Sequence, residues 1–130
     1  MHENEFHSIR KYGEQPGFTL EDLDGAFTVT FERNSLSFKV TVAYTVLEWF
    51  VEIIEPNSGL KFSDWADYTG YDRSPRNELV EEMTEDLHHL FGALMSRTFR
   101  LRKGRSWLRP SDHCEWLKED KWVEFNLGDT

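Results

Sequence analysis

The chain has a single cysteine, no apolar run long enough to cross a bilayer, and few basic residues outside one short stretch. Cys114 alone excludes an internal disulfide. The most apolar stretch, Val40 to Ile54, is interrupted by Glu48 and Glu52 and is too short for a membrane span. The acidic opening Met1 to Phe6 lacks the apolar centre of a signal peptide, so a cytoplasmic protein is expected. Of the 15 Lys and Arg residues, six lie between Ser96 and Pro110, leaving nine to face all 24 Asp and Glu. That shortage of positive charge argues against a general nucleic-acid binder, whose phosphate contacts need a broad basic surface. It favours basic partners instead. No internal repeat, low-complexity tract or linker is present, and a single domain spanning residues 1–130 is expected.

Aromatic residues, by contrast, are plentiful: ten Phe, five Trp and four Tyr in 130 residues. Each buries roughly 150–250 Å² when enclosed, enough for a few to anchor a small core. Their placement follows a strand period. Phe27, Val29 and Phe31 alternate with Thr28, Thr30 and Glu32; Leu36, Phe38, Val40 and Val42 alternate with Ser37, Lys39 and Thr41. Asn34-Ser35 lies between the runs, which predicts an antiparallel hairpin with one buried face. Val46 to Ile54 continues as a third strand, with Leu47, Trp49, Val51 and Ile53 on one face. Phe50 and Ile54 make its second face partly apolar, so this strand is expected to be central or covered on both sides. Leu60 to Phe62 pairs back as a short fourth strand after the Pro56-Asn57-Ser58-Gly59 turn.

The strongest element is a helix from Pro75 to about Arg97. Ser74 suits the N-cap and Pro75 the first helical position. Leu79, Val80, Met83, Leu87, Leu90, Phe91, Leu94 and Met95 form one apolar stripe, and Arg97 and Arg100 follow its C-terminal end, where positive charge complements the dipole. The spacing of Phe6, Ile9 and Tyr12 permits a shorter helix ending at Gly13, with a strand as the alternative. After the long helix, Phe99 and Leu101 alternate with Arg100 and Arg102, Arg105 to Arg109 gives another short strand, and Cys114 to Lys118 with Trp122 to Leu127 reads as a last hairpin around Glu119-Asp120. Strands, one long helix, then strands define an α+β class with a mainly antiparallel sheet and the helix packed on one face.

No catalytic motif emerges, and no catalytic or metal-ligating set and no cofactor are assigned. His88 and His89 are neighbours on the helix and point about 100° apart, so they cannot chelate one metal together. His113 and Cys114 face opposite sides of a strand; Cys114 reads as a small buried residue. Two features point to binding. The segment from Ser63 to Asp72 interleaves Asp64, Asp67 and Asp72 with Trp65, Tyr68 and Tyr71. It is either a connecting loop whose aromatics tuck under the helix with solvated acids outside, or a binding surface that combines rigid contact area with attraction for Lys and Arg. The helix adds Glu78, Glu81, Glu82 and Glu85, either as a solvated face or as a continuation of the acidic surface. The four acids from Glu81 to Asp86 are more mutually repulsive than helix stability favours. Together these ten residues form the candidate partner-binding set. The basic stretch is expected to balance charge within the fold, Arg100 and Arg102 pairing with Glu48 or Glu52 of neighbouring strands, or to meet an acidic patch on a second copy.

In size, strand–helix–strand order and the acidic surface from Asp64 to Asp86, the chain resembles the small acidic immunity proteins that bacteria make against toxins of contact-dependent growth inhibition and related systems. The resemblance implies a tight, non-catalytic complex with a basic toxin domain, often a nuclease, and no cofactor. A self-associating interaction domain, forming a homodimer, is the alternative; a small enzyme is a third reading.

Overall fold

Eight strands in two antiparallel sheets and two helices make up the structure, a computed structural model that describes residues 5–69, 74–103 and 112–125. The α+β class read from the sequence is the one observed. A short helix α1 (His7–Gly13) leads into a five-stranded meander of β1 (Phe18–Leu23), β2 (Ala26–Arg33), β3 (Leu36–Ala43), β4 (Glu48–Glu55) and β5 (Leu60–Asp67), each strand pairing with the next. The long helix α2 (Arg76–Ser96) follows, and β6 (Phe99–Arg102), β7 (His113–Lys118) and β8 (Lys121–Glu124) close the chain as a separate three-stranded sheet.

Local chemistry sets the turns. Asn34 (φ 53°) and Ser35 (φ 66°), like Glu119 (φ 50°) and Asp120 (φ 66°), occupy the left-handed region that a two-residue hairpin turn of matching twist requires. Gly25 (φ 74°) turns β1 into β2, and a Cβ at that position would lie 2.7 Å from Thr45 Oγ1. Leu47 is also left-handed (φ 56°) although buried, an unusual state for a branched apolar residue. The expected third strand therefore begins at Glu48 and not at Val46.

The pairing register sorts the meander into two faces. Phe27, Val29 and Phe31 of β2, Leu36, Phe38, Val40 and Val42 of β3, and Trp49, Val51 and Ile53 of β4 all point to one side and are buried. This inner face receives both helices and the second sheet. Ile9 and Gly13 bring α1 against β1 and β2; a Cβ on Gly13 would stand 2.9 Å from the Leu20 Cβ, so only glycine permits that approach. The α2 stripe arrives as expected, with Leu79, Met83, Leu87, Leu90, Phe91 and Leu94 buried. A chain of ring contacts then stitches the layers: Phe18 stacks on Phe31 (4.6 Å between centroids), Phe31 on Phe38 (4.9 Å), Phe38 meets Phe99 edge-on (6.0 Å), Phe99 meets Phe125 (5.2 Å), and Phe125 returns to Phe62 (6.1 Å). Offset and edge-on geometries are the favoured ones for aromatic pairs. The high Phe content thus serves a core that continues from the large sheet into the small one.

Several expectations are corrected. Phe18–Leu23 is a strand that the sequence reading did not assign. The fourth strand runs to Asp67, so Asp64, Trp65 and Asp67 belong to an edge strand and not to a loop. Pro75, not Ser74, takes the N-cap position, without a side-chain cap; its carbonyl accepts the Glu78 and Leu79 amides at 3.0 and 3.2 Å. At the other end of α2, Arg33 from β2 supplies the capping charge, its Nη1 donating to the carbonyls of Leu94 (3.3 Å) and Arg97. The Arg97 guanidinium lies instead over the Trp116 ring, 4.1 Å from its centroid. The expected strand from Arg105 to Arg109, and residues 126 and 127 of the last expected strand, lie outside the described residues.

Candidate binding surface

A five-stranded sheet with both helices on one face has a second face to account for. By register this outer face carries Thr19, Glu21 and Leu23 from β1, Ala26, Thr28, Thr30 and Glu32 from β2, Ser37, Lys39, Thr41 and Ala43 from β3, Glu48, Phe50, Glu52 and Ile54 from β4, and Lys61, Ser63, Trp65 and Asp67 from β5. Among the described residues no helix or strand packs on it. Its two central strands present small side chains, alanine, serine and threonine, with Lys39 and Glu32 as exceptions. The large apolar groups stand to one side, where Phe50 and Trp65 are a directly opposed cross-strand pair. Trp65 is 59 % exposed and Phe50 38 %. Cross-strand pairs of aromatics stabilise a sheet modestly, but an indole left mostly in water on an uncovered face is costly surface without a partner.

The electrostatics of this face are acidic. Glu21, Glu32, Glu48, Glu52 and Asp67 outnumber Lys39 and Lys61. Lys61 Nζ lies 3.4 Å from Glu52 Oε2, which offsets one of the acids. Glu48 and Asp67 are directly opposed beside the Phe50–Trp65 pair. Like charges so placed repel, and a cation brought to them relieves the repulsion.

The ten residues singled out from the sequence divide. Trp65 and Asp67 lie on the outer face, and Asp67 Oδ1 accepts the Thr69 amide (2.9 Å) and hydroxyl (3.1 Å). Asp64 points to the inner side, half-buried, its Oδ1 accepting the Trp65 amide at 2.8 Å. Tyr68 is engaged in the fold: its hydroxyl donates to Asp86 Oδ2 at 2.6 Å and accepts from Trp49 Nε1 at 2.9 Å. Burial first, and then the bond to Asp86, push the Tyr68 phenol well above its usual range. Tyr71 and Asp72 lie outside the described residues. Glu78, Glu81, Glu82 and Glu85 are exposed on α2, on the far side of the sheet from Trp65. The acidic strand and the acidic helix therefore do not share one face. Phe50, which the sequence reading noted only as making its strand apolar on both sides, is the residue that completes the outer patch.

The described part of the basic stretch, residues 96–103, pairs with the other strands of the small sheet. Arg100 Nε donates to Glu115 Oε1 at 2.8 Å and its guanidinium lies 4.2 Å from the Trp122 ring centroid; Arg102 reaches the other Glu115 oxygen at 3.6 Å. Glu115 replaces the expected Glu48 or Glu52 because β6 belongs to the small sheet, where Arg100 is opposite Glu115.

A second group of polar side chains, Arg102, Lys103, His113, Glu115 and Glu124, lines a pocket on the small sheet, with His113 Nδ1 3.6 Å from Glu124 Oε1. No cluster of three His, Cys, Asp or Glu suited to a metal occurs among the described residues. His88 is held between the helices, 3.2 Å from Ser8 Oγ and 2.8 Å from the Tyr12 hydroxyl. Cys114 is buried, and burial pushes its thiol up to about 12, which keeps it protonated and unreactive at neutral pH. No helix among the described residues is long and apolar enough to cross a membrane. Comparison with family models, with curated proteins and with solved structures finds no match, so the surface is read from its own geometry.

Proposed function

We propose that this protein is a non-catalytic binding module that holds a basic protein partner on the outer face of its five-stranded sheet. The observation that supports this reading is the Phe50–Trp65 pair, with the indole 59 % exposed on an uncovered, acid-rimmed face. Buried aromatics anchor interfaces, and complementary charge at the rim steers the encounter. In the specific form we favour, the partner is a toxin domain and the protein is its immunity factor. A nuclease toxin fits the chemistry, since a surface built to hold phosphates is basic and an acidic sheet face would compete for it.

Co-expression tests this directly. The polypeptide encoded by the neighbouring reading frame, if it arrests growth alone, should be neutralised by the wild-type chain and co-purify with it. Trp65→Ala combined with Phe50→Ala should abolish both effects while leaving the fold intact. Protection that survives the double substitution would overturn the assignment to this face.

A further inference from the structure

The two edges of the five-stranded sheet are finished differently. In an antiparallel ladder, alternate residues turn their backbone groups toward the partner strand and the residues between turn them away. On β5 the outward residues are Lys61, Ser63, Trp65 and Asp67, and carboxylates occupy two of the four amides: Asp112 Oδ2 accepts from Lys61 N at 2.8 Å, and Asp64 Oδ1 from Trp65 N at 2.8 Å. Just beyond the strand, Asp67 does the same for Thr69. Such capping blunts an edge against further pairing.

On β1, the two-residue Asp24-Gly25 turn makes Leu23 and Ala26 a bonded pair, so Thr19, Glu21 and Leu23 face β2 while Phe18, Leu20 and Asp22 face outward. The Phe18 amide is used by the Gln15 carbonyl at 3.0 Å. The amides of Leu20 and Asp22 have no acceptor among the described residues. The strand is well exposed beyond Leu20, and Leu23 is 45 % exposed on the outer face. Its charges are acidic: Glu21, Asp22 and Asp24, with Arg10 neutralising Asp22 through a two-pronged pair at 2.6 and 3.1 Å.

We infer that the β1 edge is a second docking site, which accepts an extended basic segment of another protein as a sixth strand. Main-chain bonds to Leu20 and Asp22 supply the pairing, and a Lys or Arg opposite Glu21 supplies selectivity. A second copy of this chain fits less well, because two β1 edges would gather Glu21, Asp22 and Asp24 from both molecules along one seam. The site is independent of the aromatic pair on the outer face.

Amide hydrogen exchange resolved by residue tests it, with a short synthetic peptide alternating lysine and valine as the probe. Exchange at Leu20 and Asp22 should slow on adding this peptide, and should not slow with a glutamate–valine peptide. Leu20→Pro, which removes one outward N–H at an edge position where proline is tolerated, should weaken binding roughly tenfold, the weight of one hydrogen bond. Glu21→Lys should weaken it by about as much through charge alone, and Trp65→Ala should leave it unchanged. Unchanged exchange at both amides, equal protection by the acidic peptide, loss of protection in Trp65→Ala, or protection that rises with protein concentration and no peptide would each overturn the inference.

Discussion

The inner and outer faces of the five-stranded sheet are made by the same strands, with side chains alternating between them, yet they differ in almost every physical respect. The inner face is a continuous apolar layer closed by two helices and a second sheet. The outer face is small, polar and acidic, apart from Phe50, Trp65, Ile54 and Leu23. A buried Phe on one side and an exposed Phe on the other have the same residue chemistry and opposite roles. Stability rests on the first and, in the reading proposed here, recognition rests on the second.

Mutations that act on one face only would sharpen that contrast. The largest effect is expected for Phe38→Ala, which breaks the ring chain in the middle of the core and should cost about 3–5 kcal/mol in denaturant unfolding; Phe50→Ala, on the outer face, should cost well under 1 kcal/mol. If the two losses were similar, the outer face would be buried in the folded chain. Next comes Arg33→Met, which removes the cap on the last carbonyls of α2 and should cost about 1–3 kcal/mol by the same measurement. Tyr68→Phe should cost somewhat less, about 1–2 kcal/mol, by leaving the Trp49 indole N–H and Asp86 without their shared hydroxyl.

A further set of effects is in pH dependence. The Tyr68 phenol and the Cys114 thiol are both raised in the folded state, so each contributes stability that is present below its unfolded value, near 10 and 9 respectively, and that is lost as pH rises through its folded value. Wild-type stability should therefore decline above about pH 9. Cys114→Ala should flatten the first part of that decline and Tyr68→Phe the part above pH 10, as read from unfolding free energies at successive pH values. A decline of unchanged slope in both variants would place the titrating groups elsewhere.

Much of this fold was legible because alternation in β2, β3 and β4 and the α2 stripe are strong periodic signals. Other parts were not. Phe18 to Leu23 has only three apolar residues among its six and lies next to a helix, yet Asp24-Gly25 is a turn signal that would have exposed the hairpin. The strand through Asp67 was hidden because Asp and Ala are poor strand formers; it pairs because β4 offers a complete partner. Which face of the sheet would be covered depends on where the helices dock, and strand periodicity alone does not encode it. For that reason Trp65 and the α2 acids, adjacent in the sequence reading, end on opposite sides. The capping of α2 by Arg33 is a contact between residues some sixty positions apart, beyond any local pattern.

The central claim is that the partner sits on the sheet and not on the acidic helix. The most direct test is to compare the affinity of Trp65→Ala and of Glu82→Lys for the polypeptide from the neighbouring reading frame, at fixed salt. Loss of an interface aromatic anchor is worth about 2 kcal/mol or more, roughly thirtyfold, whereas a charge outside the interface acts mainly on the association rate. The account predicts a loss of that size for Trp65→Ala and a change of only a few-fold for Glu82→Lys. The reverse order would move the binding surface to α2 and contradict it.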